Sequence, residues 1–179
     1  MRKTAKYLLS LAVALLLMFC FRALVCTVYT VDGSGLEPLL HKGDRVLVNR
    51  WSYGLRVGSN NGLFSYGRLA RRAVGRGDIV AFEHPDNDDL VLICRCKALP
   101  GDTVEHEGLT LVVPSTNDCA DANYYWMEAV GGQNTIDSRL LGFISEEHLI
   151  GRVTMVLYNH SPAEPLWKGW DGNRFLLPL

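Results

Sequence analysis

Asp78-Ile79-Val80-Ala81-Phe82, halted by His84-Pro85-Asp86-Asn87 and resumed as the apolar run Leu90 to Cys96, decides how this chain folds. Two short apolar runs separated by a Pro/Asp/Asn cluster read as adjacent strands. The second is so continuously apolar that it fits a buried strand. The same alternation spreads outward. Upstream, Arg45 to Asn49 reads as a strand. Downstream, Leu99-Pro100-Gly101-Asp102 is a turn by chemistry, because Pro and Gly set its backbone angles and Asp can bond back to it. Thr103 to His106 and Leu109 to Val113 follow as strands around a turn at Glu107-Gly108, and Leu149 to Tyr158 reads as another. Short strands with turn signals and no long amphipathic helix predict an all-β, mostly antiparallel domain.

The N-terminus is different. Met1 to Lys6 carries Arg2, Lys3 and Lys6 and no acid, and Tyr7 to Phe21 is almost purely apolar. A spanning helix needs about 20 apolar residues. Tyr7 to Val25 reaches that length if Arg22 snorkels to the outer interface. The basic start puts residues 1–6 in the cytoplasm. The expected organisation is therefore a cytoplasmic 1–6, an anchor over 7–27 and a β domain over 28–179 outside the cell (inner) membrane. A cleaved secretory leader is the competing reading, but Ala23-Leu24-Val25 and Val25-Cys26-Thr27 are poor small-x-small cleavage sites. Residues 57–75, rich in Gly and Asn and then basic through Arg68, Arg71 and Arg72, read as a long surface insertion. It is either a solvated loop or an interfacial one with Leu63 and Phe64 dipping into lipid.

Composition excludes some functions. Of 179 residues, 18 are Lys or Arg and 19 are Asp or Glu, a net charge of −1, so there is no electrostatic case for nucleic-acid binding. Five cysteines (Cys20, Cys26, Cys94, Cys96, Cys119) lack zinc-ligand spacing, and no metal or other cofactor is expected. Cys119 could bridge Cys94 or Cys96 in an oxidising compartment. The five histidines are scattered, and none stands in a recognisable nucleophile setting. Three segments are unusually dense in polar punctuation: Gly33 to Asp44, Leu99 to Asp102 and Gly131 to Arg139.

Those segments carry a resemblance. Gly33-Ser34-Gly35-Leu36-Glu37-Pro38-Leu39-Leu40 with Gly43-Asp44 resembles the type I signal peptidase pattern G-x-S-M-x-P-T-L followed by G-D. Tyr53-Gly54-Leu55-Arg56 is similar to its Y-G-x-R, and Arg76-Gly77-Asp78-Ile79-Val80 to its R-G-D-I-V. Arg95 with Leu99 to Asp102 resembles K-R-x-x-G-L-P-G-D. Asn134 to Gly142 resembles N-S-x-D-S-R-x-x-G and runs on into Ile150-Gly151-Arg152. The family uses a serine nucleophile and a lysine base kept neutral by burial. The resemblance puts Gly35 at the serine position and Cys94 at the lysine position, so both members of the pair are replaced. Thr135 matches the hydroxyl that orients the lysine, with Asp137 and Arg139 as supporting residues. Leu36, Pro38 and Ile93 are the implied substrate-binding positions.

Other residues are expected to substitute poorly. In extended backbone Ser34 would point away from the site unless a bulge turned it. Lys97 would face the wrong side of its strand. Cys94 as a nucleophile lacks a base, and Lys42 reads as a solvated turn residue. The expected function is that of a signal peptidase-like membrane protein binding signal peptides of exported proteins, catalytically impaired and partnered by the bilayer and an active paralogue. The competing expectations are an active serine endopeptidase using Ser34 and, more remotely, a self-cleaving DNA-linked repressor. Trp51, Phe64 and Trp126 are candidates for an apolar surface facing the membrane.

Overall fold

The computed structural model describes residues 2–58, 66–118, 120–131, 135–161, 164–165 and 168–179. Leu63, Phe64, Cys119 and Asn134 lie outside them. The chain opens with helix α1 (Arg2–Leu24). Then come strands β1 (Cys26–Thr30), β2 (Asp44–Asn49), β3 (Leu55–Val57), β4 (Gly67–Leu69), β5 (Ile79–His84), β6 (Asn87–Ala98), β7 (Thr103–His106), β8 (Leu109–Val112) and β9 (Tyr124–Glu128). The one-turn helix α2 (Ser138–Leu141) follows, with β10 (Ile144–Ser145), β11 (Leu149–His160), β12 (Trp170–Asp171) and β13 (Leu177–Pro178). Every pairing is antiparallel. The main sheet runs β1-β2-β11-β5-β6-β9-β10, with β12 and β13 also on β11.

The expected strands are present, with ends within two residues of the apolar pattern except at β6, which starts three residues earlier. β5 and β6 pair from Ile79↔Arg95 to Phe82↔Leu92, around the turn at Pro85-Asp86. Ile79 to Phe82 are buried because β11 covers their other edge and cores lie on both faces. In the β7–β8 hairpin Glu107 and Gly108 both take positive φ, 52° and 76°, which a two-residue I′ turn needs. α2 was not expected. Asp137 makes it, its side chain accepting from the Arg139 amide as an N-cap.

One core holds Leu36, Leu40, Val46, Val48, Ile79, Val153 and Val156; a second holds Tyr53, Val80, Phe82, Cys94, Cys96 and Met127. Trp126 is only 2% exposed and packs with Val104 and Val113 under the β7–β8 hairpin. It is core, not membrane-facing surface: alternation along β9 sets it on the face opposite Tyr125 and Met127, and Val104 and Val113 cover that face. Trp51 is exposed. Residues 66–75 are also more ordered than a solvated loop. Arg68 donates from Nη1 to the Gly54 carbonyl and from Nη2 to the carbonyls of Glu146 and Leu149.

β11 crosses β2 closely at Gly151. A Cβ there would lie 2.3 Å from the Asn49 carbonyl oxygen, a backbone atom that cannot swing aside. Gly151→Ala should cost about 2–3 kcal/mol through overpacking, read as a lower urea midpoint at unchanged slope.

Helix α1 presents Tyr7, Leu8, Leu9, Leu11, Leu16, Leu17 and Phe19 more than half exposed. Among the described residues no helix is long and apolar enough to cross a membrane.

Candidate functional site

A cleft of about 490 Å³ opens between the 31–36 segment, the edge of β6 from Leu90 to Cys94, and the pieces Ala129 and Thr135-Ile136. Its walls are set by hydrogen bonds with traceable origins. The Gly131 amide donates to the Gly35 carbonyl at 2.9 Å. That approach needs glycine at 131, where a Cβ would stand 2.8 Å from the Glu37 carbonyl oxygen. Beneath, Asp137 accepts from the Ala129 amide at 3.0 Å and Ser138 Oγ from the Met127 amide at 2.8 Å. The end of β9 is thereby tied to the Asp137-Ser138-Arg139 motif.

The cleft brings Ser34, Gly35, Leu36, Ile93, Cys94 and Thr135 together; Pro38 is exposed and is not among its lining residues. Leu36 is 3% exposed and Ile93 half-buried. Gly35 and Thr135 crowd each other. A Cβ on Gly35 would sit 2.7 Å from Thr135 Cγ2 and 3.2 Å from Ala129 Cβ. The threonine methyl occupies the room a side chain at 35 would need. Among the described residues the buried Thr135 Oγ1 has no hydrogen-bond partner, a costly state for a hydroxyl.

Cys94 is 2% exposed, and its Sγ lies 3.9 Å from the Ile136 carbonyl oxygen. Burial, reinforced by the Asp137 carboxylate, pushes its thiol up to about 12 despite the opposing Arg139. A thiol held that high is protonated at neutral pH. Asp137, 1% exposed, feels burial as a rise, but hydrogen bonds from Arg139 and the amides of Ala129 and Arg139 outweigh it and hold its carboxyl below the usual range. Arg139 closes the pair at 2.6 Å. Cys26, Cys94 and Cys96 are free thiols; Cys119, the partner considered for the last two, is outside the described residues.

Ser34 departs from its expected geometry. Residues 33–40 are bends and turns, with the Glu37 amide donating to the Ser34 carbonyl and the Leu40 amide to that of Leu36. Strand alternation therefore does not apply, and Ser34 lines the cleft. So does Lys42, which pairs with Asp32 at 3.1 Å. Lys97 is exposed and bound to both oxygens of Glu128 at 2.8 Å.

Sequence reasoning missed a residue that braces the turn following the cleft wall. Arg174 donates from Nε and Nη2 to Asp44 at 2.9 and 2.6 Å, and from Nη2 to the Leu39 carbonyl at 2.8 Å. It ties the C-terminal tail to the turn that follows the cleft wall. No local signal marks it, since its partner is 130 positions away. Among the described residues no group of His, Cys, Asp and Glu could hold a metal.

The family model for "Signal peptidase, peptidase S26" matches residues 4–118, more than half of the chain. Signal peptidase IB of Staphylococcus aureus is 26% identical over 187 residues, covering 86% of this chain and 88% of that protein. Signal peptidase I of Buchnera aphidicola subsp. Baizongia pistaciae is 31% identical over 96 residues, covering 54% of this chain but only 30% of that protein. With the antiparallel sheet and the ordered motifs around its cleft, this chain belongs to the peptidase S26 signal peptidase family.

Proposed function

We propose that this chain takes part in signal-peptide processing as a membrane-anchored receptor that binds the signal peptides of exported proteins and does not cleave them. The observation that carries this is the filled space at Gly35. The serine position is a glycine with no nucleophile, and a Cβ there would come within 2.7 Å of the Thr135 methyl. The matching base position is Cys94, protonated and apolar in behaviour. Beside it, the unpartnered Thr135 hydroxyl and the Ile136 carbonyl are two acceptors suited to a lysine amine that the chain lacks.

Binding needs neither group. Among the described residues, β6 pairs with β9 only from Arg95 onward, so Val91 to Cys94 offer one open edge to the cleft. An extended peptide can add there as a strand, with main-chain bonds supplying affinity. The exposed apolar face of α1 supports an anchor in the bilayer with residues 1–6 cytoplasmic and the β domain extracytoplasmic. An active paralogue is the natural recipient of a captured peptide.

The test uses the full chain in detergent or nanodiscs with a fluorescent signal peptide. Saturable binding without turnover, unchanged by Ser34→Ala, is expected; cleavage that Ser34→Ala abolishes would overturn the reading. An active-enzyme reading draws on Ser34 and Lys42 sharing the cleft. Lys42, however, has a side chain 59% exposed and ion-paired with Asp32, without the burial that the family's lysine chemistry uses. Acylation of Ser34 by a serine-reactive probe would favour it.

A further inference from the structure

Next to the peptide cleft lies a second cavity of about 610 Å³, walled by Arg76, Arg95, Lys97, Glu128 and Arg139. Ala129 lines both. The carboxylates around it are each matched to a cation. Asp102 takes Arg76 at 2.6 Å, Glu128 takes Lys97 at 2.8 Å, and Asp137 takes Arg139 at 2.6 Å. Glu128 also accepts from Trp126 Nε1 at 2.7 Å. Arg95 is the cation left over: among the described residues no carboxylate pairs with it, and its Nε–H is buried without an acceptor.

A guanidinium does not shed its proton, so this buried N–H stays a donor without an acceptor among the described residues. Its planar fork matches a carboxylate in two parallel bonds. The position of the cavity argues for a peptide as the source. Arg95 directly follows Cys94, the last cleft residue of β6, and Ala129 is the shared wall. Resting on the peptide-binding reading above, we propose that this cavity is a second subsite, taking the carboxylate of an Asp or Glu side chain on a peptide held in the cleft. The chain would then select for an acidic residue at one position of its ligand.

Signal peptides carrying a single Glu at successive positions, each against its Gln counterpart, would be titrated onto the full chain and onto Arg95→Gln. At one position Glu should bind on the order of tenfold more tightly than Gln, as for a hydrogen bond to a charged group. That preference should fall with added salt and vanish in Arg95→Gln, while the Gln peptides bind both proteins equally. Equal Glu and Gln binding at every position, or a preference that survives Arg95→Gln, overturns the subsite. A preference absent alongside weaker binding of Arg95→Gln to phosphatidylglycerol vesicles overturns it in favour of a headgroup phosphate. If no peptide binds at all, the receptor reading falls by itself, and acetate decides the site. A saturating shift of the Arg95 Nε–H resonance upholds carboxylate binding, and an unmoved resonance overturns it.

Discussion

Gly35→Ser combined with Cys94→Lys should give no cleavage, and adding Thr135→Ser should switch it on. The double substitution supplies a nucleophile and an amine, and on motif reasoning alone it should suffice wherever the scaffold is intact. The packing says otherwise. The new Cβ would meet Thr135 Cγ2 at 2.7 Å and Ala129 Cβ at 3.2 Å. The methyl is part of a β-branched side chain whose χ1 is stiff, so the clash moves backbone or expels the serine from its position. Misplacing reacting atoms by about 1 Å costs on the order of 10²-fold. Thr135→Ser deletes only the offending methyl. It keeps the hydroxyl, now unpartnered, to accept from the introduced lysine. The triple variant should exceed the double by at least about 10²-fold in turnover of a fluorogenic signal peptide. Stability should follow the same logic. Gly35→Ser alone costs about 1–3 kcal/mol as overpacking, and Thr135→Ser returns most of it. A double variant as active as the triple would show that the Thr135 methyl is no obstacle, and would leave Gly35 and Cys94 as the whole lesion. Should the triple variant stay inert while well folded, suspicion passes to the Ala129-Val130-Gly131 segment, whose Gly131 amide holds the Gly35 carbonyl.

Arg174→Ala should be the most destabilising substitution in the C-terminal tail. Asp44 is fully buried and Arg174 is 8% exposed. Besides Arg174, Asp44 accepts from the His41 amide at 2.8 Å and from Asn159 Nδ2 at 2.8 Å. Removing the arginine strands a buried carboxylate, a change worth about 3–5 kcal/mol. At roughly 2–4 °C per kcal/mol for a chain of this size, Tm falls on the order of 10 °C. Arg174→Lys should recover only part, because one ammonium cannot reproduce two bonds to Asp44 and a third to the Leu39 carbonyl.

The sign of the pH dependence is fixed by Asp44. Burial alone raises its carboxyl, but the Arg174, His41 and Asn159 hydrogen bonds outweigh that and hold it below its ordinary 3.8. A lowered folded value stabilises above the ordinary one and is lost as pH falls through the lowered one. In Arg174→Ala the largest of the lowering contacts is gone, so the Asp44 carboxyl takes up its proton at a higher pH than in the parent and acid relieves the variant. The stability gap between the two proteins should therefore narrow from pH 7 to pH 3. A gap that is constant with pH would assign the loss to packing instead of the ion pair.

The identity of this protein was legible locally, and its chemical state was not. Pro, Gly, Asp and Asn punctuation marks turns wherever they occur, as at Pro85-Asp86 and Glu107-Gly108, because each acts on its own backbone. The apolar runs of β5, β6 and β11 carry the sheet for the same reason. The motifs around Gly35, Cys94 and Asp137 could be aligned because their spacing is one-dimensional. Orientation was less accessible. Extended backbone would point Ser34 away, whereas the turns of residues 33–40 place it in the cleft lining. Three facts required the folded chain: the Thr135 methyl filling the space beside Gly35, Arg174 reaching Asp44, and Arg95 left as the one cation of its cavity without a carboxylate among the described residues. Each joins atoms that lie far apart along the chain, or is the remainder after other pairs have formed. Local composition determines which residues can make a turn, a strand or an anchor; only close packing decides which side chain occupies a vacancy and which charge goes unanswered.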